Sequence, residues 1–254
     1  MDKRGQVAIF VVVAIVIVVA GILVYLFVPQ VSDVIRGELN PNSFLAGCVE
    51  DEVKQGIELL SRQGGYANPE GYILYKGNKL KYLCYNAQYY LPCKVQQPLI
   101  KAHFEKELDD IVESKTNECV ENLVQEYQRR GYEVSEFSGS TSKVEIIPSI
   151  VRINVEAPLT VTRDTTQSYA GFEIDIPSKM YDLLMISTSI IDYESTYGDS
   201  ETTLYMRYYP NLRIEKMKLG DGSTAYKVSD VVSGESFSFA SRSVAWPPGY
   251  GTGA

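Results

Sequence analysis

The sequence is short of what most catalytic chemistry requires. It holds one histidine, His103, and one tryptophan in 254 residues. No H-E-x-x-H, P-loop or G-x-S-x-G motif occurs, and no serine or cysteine nucleophile has a recognisable base, so the common hydrolytic and phosphate-binding machineries are excluded. Its four cysteines show no C-x2-4-C pair, which argues against a zinc knuckle. No D-x-D-x-D-G loop surrounds Asp164 or Asp221, so a calcium loop is not indicated and both read as turn residues. Formal net charge is -8 with no basic patch, which excludes nucleic acid as a partner. N-x-S/T sequons are also missing. The expectation is a chain that is not an enzyme, with no catalytic residues, metal or cofactor. His103, beside Phe104, reads as a partly exposed helix residue. Glu105, Glu107, Asp109 and Asp110 read as the wet face of that helix.

What is present begins with an apolar run over residues 7–28, free of charge and proline and ended by Pro29. As a helix it is about 33 Å long, enough to cross a hydrocarbon core of about 30 Å. It exceeds the 7–15 residues of a cleaved signal-peptide core, and its exit holds no small residue. Lys3 and Arg4 precede it and the next cation is Arg36, so the positive-inside rule places the C-terminal part outside. The expected localisation is the cell membrane, single-pass, with an extracellular C-terminal domain. Membrane lipid is then a partner.

Lys3-Arg4-Gly5-Gln6 ahead of an uninterrupted apolar helix resembles the archaeal class III signal peptide of type IV pilin-like proteins. The resemblance implies cleavage between Gly5 and Gln6. The helix then stays on the mature protein and self-associates with its copies in a filament core. Phe10 stands where many pilins carry glutamate, and Ala8 where a common archaeal version has serine. A second series resembles a group of uncharacterised single-pass proteins of small-genome archaea. It comprises Cys48-Val49-Glu50-Asp51, Arg62-Gln63-Gly64-Gly65-Tyr66, Cys119, Ala157-Pro158-Leu159-Thr160-Val161 and Phe237-Ser238-Phe239-Ala240. It implies a surface protein and carries no activity.

Cys48, Cys84, Cys93 and Cys119 all lie outside the apolar run, and an even count in an external domain reads as two disulfides. Three pairings are open. Cys84 with Cys93 and Cys48 with Cys119 are favoured, because the first pair brackets a short tyrosine-rich segment and the second lies on two predicted helices. Tyr72, Tyr75, Tyr82, Tyr85, Tyr89 and Tyr90 crowd the hairpin region and form a candidate contact surface for a subunit or a cell-surface or glycan ligand, since tyrosine offers large area at low entropy cost.

Ser43 is a candidate cap for a helix ending at Arg62, after a break at Asn40-Pro41-Asn42. A hairpin follows over 72–75 and 80–85 around Lys76-Gly77-Asn78. A second helix starts after Pro98, carries Ile100, Phe104, Leu108, Ile111, Cys119, Leu123 and Tyr127, and has a kink at 114–117. Strands are predicted over 132–137, 143–147, 150–156, 159–163 and 172–176, then a helix to Tyr197, then strands over 212–219, 225–232 and 236–246. The fold class is α+β: an N-terminal transmembrane helix, disulfide-stapled helices, and an antiparallel sheet with a covering helix. The domains run 1–5 (leader), 6–28 (transmembrane or filament-core helix), 29–131 (helical part with hairpin), 132–246 (sheet) and 247–254 (tail). Function then reads as a pilin-like structural subunit of a surface filament. The alternative is a non-polymerising anchored ectodomain for adhesion or partner binding.

Overall fold

The structure, a computed structural model, describes residues 13–19, 21 and 39–247. Met1–Phe44 and Leu45–Ala254 are two compact units.

In the first unit residues 13–19 and 21 are helical. Among the described residues no helix is long and apolar enough to cross a membrane. The transmembrane helix expected over 6–28 and the single-pass membrane localisation built on it are corrected on that finding. The remainder of the run lies outside the described residues, as do Gly5, Gln6 and residues 248–254 of the tail.

The first long helix, α1, is Pro41–Arg62. Its start differs from the sequence reading. Asn40 is the cap: its Oδ1 accepts the Ser43 N–H at 3.0 Å. Pro41 occupies the first helical position, where its missing N–H has no intrahelical role. The Asn-Pro pair that reads as a break is therefore the helix start.

In the second unit, α1 buries Leu45, Val49, Val53, Ile57 and Leu60 at helical spacing. Cys48 is bonded to Cys119 of α2, Ile100–Arg129, with Cα atoms 5.9 Å apart. Helix α2 is continuous. Val112, rather than Ile111, holds the buried position, and buried Thr116 returns its hydroxyl to the Val112 carbonyl at 2.9 Å. That internal bond satisfies the polar residue within the helix where the sequence suggests a kink.

Two sheets complete the unit. In the first, β1 (Tyr72–Tyr75) and β2 (Asn78–Tyr85) form a hairpin. Its two-residue turn, Lys76-Gly77, has φ of +48° and +84°, matching the twist of the flanking strands. Strand β3 (Lys94–Val95) pairs with β2. Strands β8 (Leu212–Lys218), β9 (Thr224–Asp230) and β10 (Ser236–Arg242) complete the order β1-β2-β10-β9-β8. The β2/β10 pairing is parallel, so this sheet is mixed rather than antiparallel. It joins the hairpin of residues 72–85 to the C-terminal strands across the 131/132 division read from the sequence.

The second sheet is antiparallel and built on β6 (Ile150–Thr162), flanked by β4 (Glu133–Ser135), β5 (Thr141–Ile147) and β7 (Thr166–Pro177). Strand β6 alternates buried Val151, Ile153, Val155, Ala157, Leu159 and Val161 with more open residues. Pro158, read as a separator of two strands, instead lies inside β6. It falls at a register shift between Glu156 and Leu159, where a missing N–H is tolerated.

Helix α3 (Met180–Tyr197) stops at Gly198, whose φ of +93° favours glycine. A short helix, α4 (Thr203–Tyr208), was not anticipated. The first sheet's core face carries Phe237 and Phe239, with the Phe237 ring 6.2 Å from Phe104 of α2.

Candidate functional site

The lone histidine sits in a packed setting. The His103 ring lies 3.9 Å from the Tyr66 ring, and its Nε2 is 3.7 Å from Glu107 Oε1. Burial pushes its pKa below the ordinary value, with Glu107 opposing. Among the described residues no group of three or more His, Cys, Asp and Glu is placed to hold a metal ion. Three of the four acids read as a wet face fasten α2 to other segments. Glu105 Oε1 accepts the Ile146 N–H at 2.7 Å, Glu107 Oε2 accepts the Ala67 N–H at 2.9 Å, and Asp109 Oδ1 accepts the Ser142 hydroxyl at 3.2 Å. Asp110 alone is exposed. The Ile146 and Ser142 bonds tie the flank of β5 to α2.

The most deeply buried acid is Glu194, which sequence reading missed. It is 1% exposed in the last turn of α3. Its Oε1 accepts the Ser200 N–H at 3.0 Å and the Tyr226 hydroxyl. Oε2 accepts the Ser241 hydroxyl at 2.9 Å. Burial first, then the Glu194 charge, push the Tyr226 phenol far above its ordinary pKa. With three donors and no room for substrate, this carboxylate joins α3 to β9 and β10 structurally.

The six tyrosines of the hairpin region divide. Tyr82 and Tyr85 meet edge to face at 4.9 Å, and the Tyr82 hydroxyl bonds Ser223 Oγ at 2.7 Å. The Arg242 guanidinium lies 5.1 Å from the Tyr89 ring centre while Nε donates to the Asp221 carbonyl at 3.1 Å. Tyr90 meets Trp246 at 5.3 Å. The Cys84–Cys93 disulfide, with Cα atoms 5.3 Å apart, closes the loop that carries Tyr85, Tyr89 and Tyr90. Tyr90 adopts φ +62°, a costly conformation, and its N–H donates to the Ala245 carbonyl at 2.9 Å. Tyr85, Tyr89, Tyr90 and Trp246 are exposed. Trp246 escaped the sequence reading because it lies more than 150 positions from its partner. Tyr75, like Ile73 and Tyr82, packs against the buried cluster of Leu80, Ala225 and Ala240 instead. Tyr72 alternates to the opposite side of β1, with the Lys79 ammonium 5.2 Å from its ring.

A cleft of about 930 Å³ is lined by the C-terminal half of α1, the β1–β2 turn, the start of α3 and strands β8–β10. Its cations are largely engaged. Lys54 pairs with Glu50, Arg62 with Glu58, and Lys216 with Asp199 at 2.7 Å. Glu235 accepts the Ser178 hydroxyl at 2.7 Å and the Lys179 N–H, which fixes the start of α3.

The first unit offers a different surface. Val13, Ile15, Val16, Ile17, Val18 and Val19 are between 48% and 66% exposed, on every side of the helix. Water solvates such a surface poorly.

No protein-family model matches the chain, no curated protein matches it, and no solved structure matches it.

Proposed function

We propose that the chain is a non-catalytic structural subunit of a filament, in which the apolar N-terminal stretch packs against its copies and the disulfide-stapled α+β unit faces outward. The observation that carries this reading is the apolar helix of residues 13–19, exposed on all sides. Burying one valine or isoleucine side chain contributes roughly 1.5–3 kcal/mol, so a bundle of identical stretches gains from every copy added. The two disulfides support an oxidising compartment. The pilin-like signal at Gly5 and Gln6 agrees with this reading, and cleavage there belongs to the same proposal.

The test introduces charge into the stretch. Full chains carrying Ile15→Glu or Val18→Glu are compared with the parent by electron microscopy and sedimentation velocity. The parent is expected to form fibres or large oligomers and the variants to sediment as single chains with unchanged circular dichroism. A parent chain that sediments only as a monomer would sink the proposal.

A second reading, a partner-binding domain, draws on the exposed rings of Tyr85, Tyr89, Tyr90 and Trp246, with half-buried Tyr82 bracing Tyr85. Exposed, mutually braced rings offer contact area at low entropy cost, suited to another protein or the flat faces of a glycan. Tyr89→Ala with Tyr90→Ala would abolish such binding and leave assembly intact.

A further inference from the structure

A second aromatic cluster lies away from those rings. Tyr193 of α3, Leu204, Tyr205 and Tyr208 of α4, then Tyr209 and Glu201, line a pocket of about 550 Å³. Its side chains are unusually open for their size: Tyr208 is 77% exposed, Tyr209 56% and Leu204 54%. Tyr205 is anchored by a 2.8 Å hydrogen bond between its hydroxyl and Ser189 Oγ, which fixes α4 against α3. Glu201 is also held in place. Its Oε1 accepts the Thr203 N–H at 2.9 Å and the Thr203 hydroxyl at 2.6 Å. Those bonds hold the Glu201 carboxyl below its ordinary pKa, so it is ionised at neutral pH.

The electrostatics of this lining have one sign. Four tyrosines, whose ring faces carry negative quadrupole potential, line the pocket with Glu201, which adds a full negative charge; no lysine or arginine is in the wall, and the cation acting on Glu201 is Lys216. The larger cleft instead mixes lysines and an arginine with Glu58, Glu215 and Glu235 in its walls. We infer that the pocket between α3 and α4 is a binding site for an organic cation of the quaternary or methylated ammonium class. Such a cation is weakly hydrated, matches ring faces in size and polarity, and finds its counter-charge in Glu201. A neutral sugar would stack on tyrosines and donate hydroxyls to the carboxylate, but brings no positive charge to pair with it. A second copy of the chain would need to bury the same rings without ligand.

The test is ligand-observed saturation-transfer NMR on the full chain, with choline and tetramethylammonium as probes and 3,3-dimethylbutan-1-ol as the neutral analogue of choline. Millimolar binding of both cations is expected, with the neutral analogue weaker by about tenfold or more. Tyr208→Ala and Glu201→Gln should each weaken choline by about tenfold or more, while Tyr208→Phe, which keeps the ring, should bind like the parent. Circular dichroism on each variant confirms that the fold is retained. The inference is overturned if no transfer to the cations is seen at tens of millimolar, or if the neutral analogue or a hexose binds as well as choline. It is equally overturned if Tyr208→Ala matches the parent, or if the tyrosines are already covered in a dimer that dissociates only on Tyr208→Ala.

Discussion

Removing the Glu194 side chain should damage the outer unit more than any surface change. In Glu194→Ala three donors lose their acceptor at once: the Tyr226 hydroxyl, the Ser200 N–H and the Ser241 hydroxyl. A hydrogen bond to a charged group contributes about 1.5–3 kcal/mol, and each stranded buried donor costs about 1–3 kcal/mol. Water entering the space left by the side chain recovers part of this, so the net loss is about 4 kcal/mol. For a unit of this size that lowers Tm by about 8–16 °C. Glu194→Gln keeps an acceptor for Tyr226 and Ser200, and its amide can donate to Ser241 Oγ once that hydroxyl turns. Its cost should be about 1–1.5 kcal/mol, the loss of charge assistance. The assay is urea unfolding of the oxidised full chain, followed by circular dichroism at neutral pH. An alanine variant within about 1 kcal/mol of the parent, or a glutamine variant as damaging as alanine, would refute the reasoning.

Other outcomes follow from the same structure. Gly171→Ala would drive a Cβ into the Val155 carbonyl oxygen across the β6–β7 pair, and a clash with backbone cannot relax by a rotamer change. A loss of about 2–3 kcal/mol in urea unfolding is expected, and a neutral result would show that the strands part there. Replacing Cys48 and Cys119 together by alanine removes a crosslink of sequence separation 71, which should cost about 4 kcal/mol in the chain-entropy model, against about 3 kcal/mol for the shorter Cys84–Cys93 loop. Denaturant midpoints of the two double variants check the order. Above pH 10 the protein should lose stability. Burial raises the Tyr226 and Tyr127 phenols above their ordinary value of 10. A folded pKa above the unfolded one gives stabilisation that is complete below the unfolded value and declines as pH rises past it. Absorbance at alkaline pH should show these two phenols ionising only as the unit unfolds, and Tyr226→Phe should shift the unfolding midpoint upward in pH relative to its own neutral stability.

How much of this was legible in the sequence depended on the range of the forces involved. The hairpin around Lys76-Gly77, the alternation of Val151, Ile153 and Val155, and the buried stripe of α1 are local periodicities and emerge as read, as does the α2 stripe apart from Val112 taking the place read for Ile111. Both cysteine pairs were legible because one brackets a short loop and the other lies on two apolar stripes. The parallel β2–β10 pairing was not, because Tyr82 and Ala240 meet only through the tertiary fold. The roles of Glu105, Glu107 and Asp109 were misread for the same reason, since their partners arrive from β5 and from Ala67. Asn40 and Pro41 were read as a break because the same dipeptide serves to end a helix or to begin one. The apolar run misled most directly. Length and hydropathy alone fit a membrane span, whereas no described helix is long and apolar enough to cross a membrane. The Glu194 network and the Tyr193–Tyr209 pocket had no sequence signal beyond a scatter of tyrosines.

The claim that identical apolar stretches pack together is tested most directly by crosslinking. All four native cysteines are paired, so Ile17→Cys supplies the sole free thiol for mild oxidation of the purified full chain. The account predicts a covalent dimer on non-reducing gels that disappears when Ile15→Glu is added. A chain that stays monomeric under oxidation at every concentration, while its thiol reacts freely with a small alkylating probe, would contradict it.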